Sequence, residues 1–285
     1  MKHIIIIINY NNYTDSINCA NAINQLDGNK KIIIVDNCSN NDSFMQLSNQ
    51  FKNIDNIEVI QTKDNLGYSK GIDYAYKYIK EQNYSYDFIH VSNSDIIVKD
   101  TEFLKRVETD YHNNPFYLLG PSVITNGVNT SPIGYFKKAS DFEKEMKKLN
   151  VLASGLKIFT RLTFGAFENK LESNRNGDIA KKVCAKLSKG EKIVPILSGC
   201  YVIFSKDHTD RFDYLYRPIT FLYNEEMLIT YTLMSQGIRQ IYFDDKLKVY
   251  HYHGGSSKGA SIKKANYIKQ NYKEFKKLGL YKNEH

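Results

Sequence analysis

The chain opens on five consecutive isoleucines, Ile4–Ile8, and Asn9 ends the run. Such a run is too short for a signal-peptide core or a transmembrane helix. β-Branched residues favour strands, and a segment that is apolar on both faces is typical of a strand buried in a parallel sheet. The segment therefore predicts a central parallel strand, and no later apolar stretch is long enough to predict a membrane span.

Strands and helices alternate from this first strand onward, with short loops between them. The predicted strands are His3–Asn9, Lys31–Val35, Ile57–Ile60, Phe88–Val91 and Tyr117–Val123. The predicted helices are Thr14–Leu26, Ser43–Phe51, Ser69–Glu81 and Thr101–His112. This order predicts an α/β fold with a mostly parallel, Rossmann-like sheet that carries helices on both faces.

Polar segments follow several of these strands. They are rich in Asn, Asp, Ser and Gly and lie at Asn9–Tyr13, Asp36–Asp42, Asp64–Lys70 and Ser92–Asp95. Ligands of open α/β sheets bind outside the carboxyl ends of the strands. We therefore expect these segments to line one binding crevice.

The pattern changes after about Ser131. Lys-rich amphipathic stretches, including Ala139–Leu149 and Ile179–Leu187, predict a basic helical insert at about residues 137–192. The remaining elements are predicted as strands at Ile193–Leu197, Tyr201–Phe204, Ile241–Phe243 and Leu247–Tyr250, and as a helix at Glu225–Gln236. Residues 258–285 predict a basic amphipathic tail, whose helix would span residues 261–280.

The net charge of +8 narrows the choice of partners. A basic balance favours nucleic acid, an anionic membrane or a phosphate-bearing substrate, while a solvated surface explains the tail equally well. No motif with interleaved basic and aromatic residues supports nucleic-acid binding, so this is the least favoured of the possible functions. The four cysteines lack C-x-x-C spacing, which disfavours a zinc site and fits reduced thiols in a cytosolic protein.

Two motifs could bind a nucleotide. Asp36 ends a strand and could accept from the imide N–H of a uracil-like base, although a strand-end Asp is often only a turn residue. The segment Asn65–Gly71 leads into a helix, where glycines and the helix N-terminus favour a phosphate and Lys70 could reach it. A plain glycine-containing turn is the alternative.

Three further motifs could carry catalysis. Asp95 follows a strand and could ligate Mg²⁺ or Mn²⁺, or merely cap a turn. Glu225 and Glu226 open a helix and could supply a general base, or simply compensate the helix dipole. His251 and His253 point the same way along a strand, as metal ligands or as structural histidines.

The ordered set of these motifs resembles the bacterial family 2 glycosyltransferases. It is similar especially to the rhamnosyl- and galactofuranosyl-transferase-like members, which build cell-surface polysaccharides such as capsule and O-antigen. The resemblance rests on Ile7–Asn12, Val35–Ser39, Asn65–Gly71, Ser92–Asp95, Ser198–Cys200, Phe221–Glu226, Val249–His251 and Gly254–Ser256. It implies a GT-A fold over residues 1–257, with a nucleotide-binding half at 1–125 and an acceptor-binding half at 126–257.

The resemblance also implies a role for each matching residue. Asp95, in the position of the last acid of a D-x-D motif, and His251 would bind Mn²⁺ or Mg²⁺. Glu226 would be the catalytic base, with Glu225 beside it. The donor, a nucleoside diphosphate sugar, would be held by Ile8, Asn9, Tyr10, Asn11, Asp36, Asn65, Lys70, Gly71, Asn93 and Ser94.

The chain departs from the family pattern at two of these positions. Asn93 replaces the first acid of D-x-D, and Glu226 replaces the usual Asp of the base. The expected activity is an inverting, metal-dependent transfer from a UDP- or dTDP-sugar to a glycan or polyprenyl-diphosphate-linked glycan. A non-catalytic nucleotide-sugar-binding protein on the same fold is the alternative. We expect a cytoplasmic protein that can bind peripherally to the inner face of the cell membrane and can form homo-oligomers.

Overall fold

The structure is a computed structural model that describes residues 1–159, 165–252 and 260–280. The first part of the chain forms β1 (Lys2–Asn9), α1 (Tyr13–Asn24), β2 (Asn29–Asp36), α2 (Ser43–Phe51), β3 (Ile57–Gln61), α3 (Gly67–Glu81), β4 (Phe88–Asn93), β5 (Ile96–Val98), α4 (Phe103–Asn113) and β6 (Leu118–Thr125). The second part forms β7 (Val128–Asn129), β8 (Gly134–Phe136), α5 (Asp141–Phe159), α6 (Gly165–Ser188), β9 (Val194–Ile196), β10 (Tyr201–Ser205), α7 (Lys206–Arg211), α8 (Glu225–Ser235), β11 (Ile241–His251) and α9 (Ala260–Lys277).

One large sheet organises these elements, in the strand order β3-β2-β1-β4-β10-β6-β11-β5. Strands β1 to β4 are mutually parallel, as the isoleucine run predicts. Strand β10, however, lies antiparallel between β4 and β6, and β5 lies antiparallel to β11. The sheet is therefore mixed on this side. The sequence could not predict this, because an apolar run indicates a buried strand but not the direction of that strand.

Helices cover both faces of the sheet, as expected. One face packs on α1, α2 and α4, whose buried residues include Ala20, Leu47 and Leu104. The other face packs on α3, α5, α8 and α9, with Ile72, Phe142, Leu228 and Phe275 among the buried residues. The isoleucines of β1 alternate between these two cores, which explains why a strand apolar on both faces is needed at the centre.

Most predicted elements have the expected type with shifted ends, and one prediction in the second half is wrong. Ile241–Phe243 and Leu247–Tyr250 form the single strand β11 rather than two strands. A register shift between Asp244 and Lys248 lets the strand bulge and resume its pairing with β6. The polar residues at the bulge look like a loop in the sequence, but they only interrupt the ladder.

The insert and the tail are helical, as predicted, but the tail packs on the rest of the molecule. Ala265, Ile268 and Phe275 of α9 are buried, two of them against a cluster that includes Ala153 of α5. These three residues of α9 thus pack within the fold. In the described part of the chain, no helix is long and apolar enough to cross a bilayer.

Candidate active site

The carboxyl ends of β1, β2 and β4 meet at one edge of the sheet. Asn9 pairs in register with Asp36, and Ile8 pairs with Asn93. Three of the four predicted polar segments follow these strand ends, and the fourth precedes α3 beside them. The structure therefore brings the sequence-predicted donor residues together, with Tyr10 and Lys70 exposed to solvent there.

Asp36 is fully buried at the centre of this edge. Its Oδ1 accepts hydrogen bonds from Asn9 Nδ2 (2.7 Å) and Ser39 Oγ (2.5 Å). Its Oδ2 accepts from Ser39 N (3.1 Å) and Gln61 Nε2 (2.9 Å). A carboxylate offers about four lone-pair sites, and protein donors fill this number. Direct contact with a base would therefore require Ser39 or Gln61 to move, and the predicted role of Asp36 remains a prediction.

Asn9 and Asn11 shape the loop after β1. Asn9 Oδ1 accepts from Ser16 Oγ (2.9 Å), which fixes the start of α1 against the strand. Asn11 adopts a left-handed conformation with φ 57°, and its backbone N–H donates to Ser39 Oγ (2.8 Å). Asn11 Oδ1 in turn accepts from Asn40 N (2.9 Å). These two asparagines join the first two polar segments into one wall of the crevice.

Asn37 joins the second polar segment to the third in the same way, and it is not among the residues predicted to bind the donor. Its Nδ2 donates to the Gly67 carbonyl (2.9 Å) and to Asn65 Oδ1 (3.3 Å), while its Oδ1 accepts from Leu66 N (3.0 Å). Gly71 lies so close that an added Cβ would be 3.4 Å from Asn37 Nδ2. The sequence marks Asn37 only by its position directly after Asp36.

Asp95 and His251 face each other beside this wall. Asp95 lies in the turn between β4 and β5, and His251 ends β11, where it pairs with Ile96. His251 Nε2 lies 3.1 Å from Asp95 Oδ1, and both side chains are largely buried. Burial alone would lower the pKa of His251, but the neighbouring Cys200 and Asp95 outweigh it and raise this pKa.

The chemistry of this pair fits a divalent cation. A carboxylate oxygen is a ligand that Mg²⁺ and Mn²⁺ prefer, and a neutral imidazole nitrogen is a common metal ligand, so Asp95 and His251 are the residues that could hold the ion. Among the described residues, no group of three or more His, Cys, Asp or Glu side chains forms a metal cluster. Water and phosphate oxygens could supply further ligands to such a cation, as they commonly do for Mg²⁺.

The turn before β10 connects Glu226 to this pair, because its residues Gly199 and Cys200 contact Glu226 and His251 respectively. An added Cβ on Gly199 would be 2.2 Å from Glu226 Oε1, so the carboxylate lies directly over that glycine. The next residue, Cys200, has its Sγ 3.6 Å from His251 Nδ1. Burial raises the pKa of Glu226, while the backbone at Glu226 and Gly199 and the Lys264 ammonium lower it. Raised basicity in a partly buried carboxylate suits proton abstraction near neutral pH.

Glu225 points the other way, into the protein. It is 3% exposed, and its Oε1 accepts from Thr220 Oγ1 (2.9 Å). Burial, with a further contribution from Glu226, raises its pKa to about 8. The two adjacent acids therefore have different surroundings, and only Glu226 borders the site. Thr220 had no sequence signal, because a lone Thr in a loop predicts nothing about a partner.

Two further motifs of the family resemblance remain, the turn at Asn93 and Ser94 and the segment from His253 to Ser256. Ser94 and Asn93 are partly exposed in the turn that carries Asp95, and Asn93 N donates to the Cys200 carbonyl (3.0 Å). His253 and the Gly254–Ser256 motif lie outside the described residues.

Comparison with known proteins identifies the family of this chain. The sequence matches the family model of glycosyl transferase family 2 over residues 4–167, and the chain belongs to that family. A search among curated proteins gave no significant match.

One solved structure supports the fold, and a second is similar over a smaller part of the chain. The mannosyltransferase PcManGT from Pyrobaculum calidifontis, in complex with GDP-Man and Mn²⁺, matches 99% of this chain and 65% of its own, with a TM-score of 0.59 and 10% identity. TarS 1-349 from S. aureus has a TM-score of 0.38 and 22% identity; the match covers 44% of this chain and only 36% of TarS. The likeness to PcManGT identifies the fold as that of GT-A glycosyltransferases.

Proposed function

We propose that the protein is an inverting, metal-dependent glycosyltransferase that moves a sugar from a UDP- or dTDP-sugar to a glycan or lipid-linked glycan. The observation that carries the proposal is that Glu226 lies over Gly199, while the next residue, Cys200, contacts His251 of the Asp95–His251 pair. Membership of a glycosyltransferase family and a fold shared with a GDP-Man- and Mn²⁺-bound enzyme support it.

The reaction requires one proton transfer and one displacement. Glu226 accepts the proton of an acceptor hydroxyl, and that oxygen forms a bond to the anomeric carbon. The bond from this carbon to the diphosphate oxygen breaks on the opposite face, so the configuration inverts and the nucleoside diphosphate leaves with the electron pair. A Mn²⁺ or Mg²⁺ ion held by Asp95 and His251 would supply charge neutralisation for the diphosphate. Asn11, Asn65 and the start of α3 would hold the nucleotide.

The acceptor half offers a surface for a lipid-linked substrate. Val151 and Leu152 of α5 are 68% and 52% exposed, and the exposed Lys147 and Lys148 lie one helical turn before them. Exposed apolar residues beside lysines suit the interface of an anionic membrane. We expect the protein to sediment with vesicles containing anionic lipid, and Val151→Ser/Leu152→Ser to weaken this. Equal sedimentation of the variant would remove the membrane part of the proposal.

Nucleoside diphosphate release from UDP-, dTDP- and GDP-sugars tests the chemistry. In the presence of a polyprenyl-diphosphate-linked glycan, we expect turnover with one donor, and a loss of about 10²-fold or more in Glu226→Gln. Glu81→Gln, at an exposed site on α3, is the matched control and should keep full turnover. Donor binding without any turnover, unchanged in Glu226→Gln, would favour the non-catalytic binding protein.

A further inference from the structure

The loop before the proposed base has an unusual backbone. Tyr223 and Asn224 both have φ of 70°, in the left-handed region, directly before Glu225 and Glu226 begin α8. Two consecutive non-glycine residues in this region are disfavoured and persist only where the surroundings enforce them. The loop therefore needs contacts from other parts of the chain to keep this conformation. These contacts also fix the direction in which α8 starts.

Asn271 of α9 provides it. The side chain is 2% exposed, and its amide Nδ2 donates to the carbonyls of Leu222 (2.9 Å) and Tyr223 (2.8 Å). It also lies 3.3 Å from Asn224 Oδ1. The two hydrogens of one amide group match two successive carbonyls that the left-handed turn directs toward α9. Without this donor, the two carbonyls would lose their side-chain partner in a largely buried place, which is costly.

Aromatic packing and a helix on the other side complete the hold. The Phe221 ring stacks on Tyr267 of α9, with centroids 5.3 Å apart and planes at 17°. On the far side, Tyr68 N of α3 donates to the Phe221 carbonyl (2.6 Å). Gly67 is required there, because an added Cβ would be 2.3 Å from that carbonyl oxygen. The loop is thus clamped between the start of α3 and α9.

We propose that α9 is a positioning element of the catalytic site, and that Asn271 is the positioning residue that directs the Glu226 carboxylate over Gly199. The inference rests on the proposed function, since it assigns the base to Glu226. It makes the C-terminal helix part of the catalytic apparatus, whereas its sequence indicates only a basic amphipathic appendage. Asn271 itself does not contact the reacting atoms; it acts through the loop.

Two variants test this hold by different contacts. Asn271→Leu removes the donors, and Tyr267→Leu, at a partly exposed position, removes the stacking and keeps the proposal testable if the first variant does not fold. Gln270→Ala, at the exposed neighbouring position, is the matched control. Hydrogen–deuterium exchange of the peptide 219–228 is measured against the β1 peptide, together with kcat and KM for the active donor.

Both variants should raise exchange in 219–228 by about tenfold or more, as expected for a lost buried hydrogen bond or stacking contact, with the β1 peptide unchanged. The kcat should fall by about tenfold or more, with donor KM within about threefold, because the base is misplaced while the nucleotide crevice stays intact. Gln270→Ala should match the wild type in every measurement.

Unchanged exchange in both variants, or looser exchange with wild-type kcat, would overturn the role of α9. A rise in donor KM with kcat retained would overturn it as well, because α9 would then serve donor binding. Failure of the proposed function has a different signature. The wild type would then release no nucleoside diphosphate from any donor, and the catalytic role of α9 would fall with it even if the variants loosened the loop.

Discussion

Gly199→Ala should damage catalysis without unfolding the protein. The added methyl carbon would lie 2.2 Å from Glu226 Oε1, whereas ordinary contact begins at 3.4 Å, so the carboxylate must retreat by about 1 Å. The atoms that must move all belong to the Glu226 side chain, Oε1 at 2.2 Å, Cδ at 2.9 Å and Cγ at 3.1 Å, and the φ of Gly199 lies outside the left-handed range. The fold can therefore accept the methyl group, while the proposed base cannot keep its place.

The size of the effect follows from that displacement. A reacting group misplaced by about 1 Å can lower the rate by roughly 10²-fold, which corresponds to ~2.7 kcal/mol in the activation free energy. Steady-state release of nucleoside diphosphate from the active donor gives kcat, and the thermal shift with the nucleotide reports binding. We expect a kcat loss of this order, with an unchanged nucleotide-induced shift.

Gly134→Ala is the matched control, because its added methyl would meet Ile196 Cδ1 at 3.2 Å and would not touch Glu226. It should retain wild-type kcat. A Gly199→Ala protein that is folded, binds nucleotide and keeps full kcat would refute the assignment of Glu226, since the base would then tolerate a methyl group in its place.

Three further predictions follow from the charged and titratable groups. Glu225→Gln should keep kcat within about threefold at neutral pH, because burial and the neighbouring Glu226 raise the pKa of Glu225 and so favour the neutral acid, which the amide resembles; a loss as large as that of Glu226→Gln in the same release assay would contradict the division of roles. Lys264→Gln should shift the acid limb of the kcat/KM profile to higher pH, because the lysine lowers the pKa of Glu226; a shift to lower pH would be the opposite of what the charge predicts. Burial lowers the pKa of His208 from 6.5 to about 4. Between these two values the unfolded chain binds a proton that the folded chain does not bind, so the free energy of unfolding decreases as the pH is lowered from 6.5 to 4. Urea unfolding should show about 2 kcal/mol less stability at pH 5 than at pH 7 from this group, and His208→Gln should lessen the difference; an equal pH dependence in both proteins would contradict it.

The first half of the fold could be predicted because its signals are local. Ile4–Ile8 demands burial on both faces, and the period of Ser43–Phe51 gives a helix whose observed bounds are the same. The direction of β10 and the continuity of β11 could not be predicted in this way. Both depend on which strands become neighbours in the sheet, and the hydrophobic pattern of a single segment carries no information about that.

The candidate site shows the same division. Asp36, Asp95 and Glu226 lie at strand ends or a helix start, where chemistry-bearing residues are expected, so pattern and family resemblance could select them. Asn37 is marked only by its position directly after Asp36, and the sequence does not mark Asn271 at all. Their importance comes from amide groups that bridge segments far apart in the chain, and only the folded arrangement shows those partners.

The thermal shift of the protein with UDP, dTDP, GDP and CDP, each with and without MnCl₂, tests the central claim most directly. Ligand that binds only the folded state raises the melting temperature by mass action. We predict a shift with UDP or dTDP that grows when MnCl₂ is added, and that loses this metal dependence in Asp95→Asn and His251→Ala but not in the exposed control Asp55→Asn. The absence of a shift with every nucleotide, or a metal effect that persists in both site variants, would contradict the proposed active site.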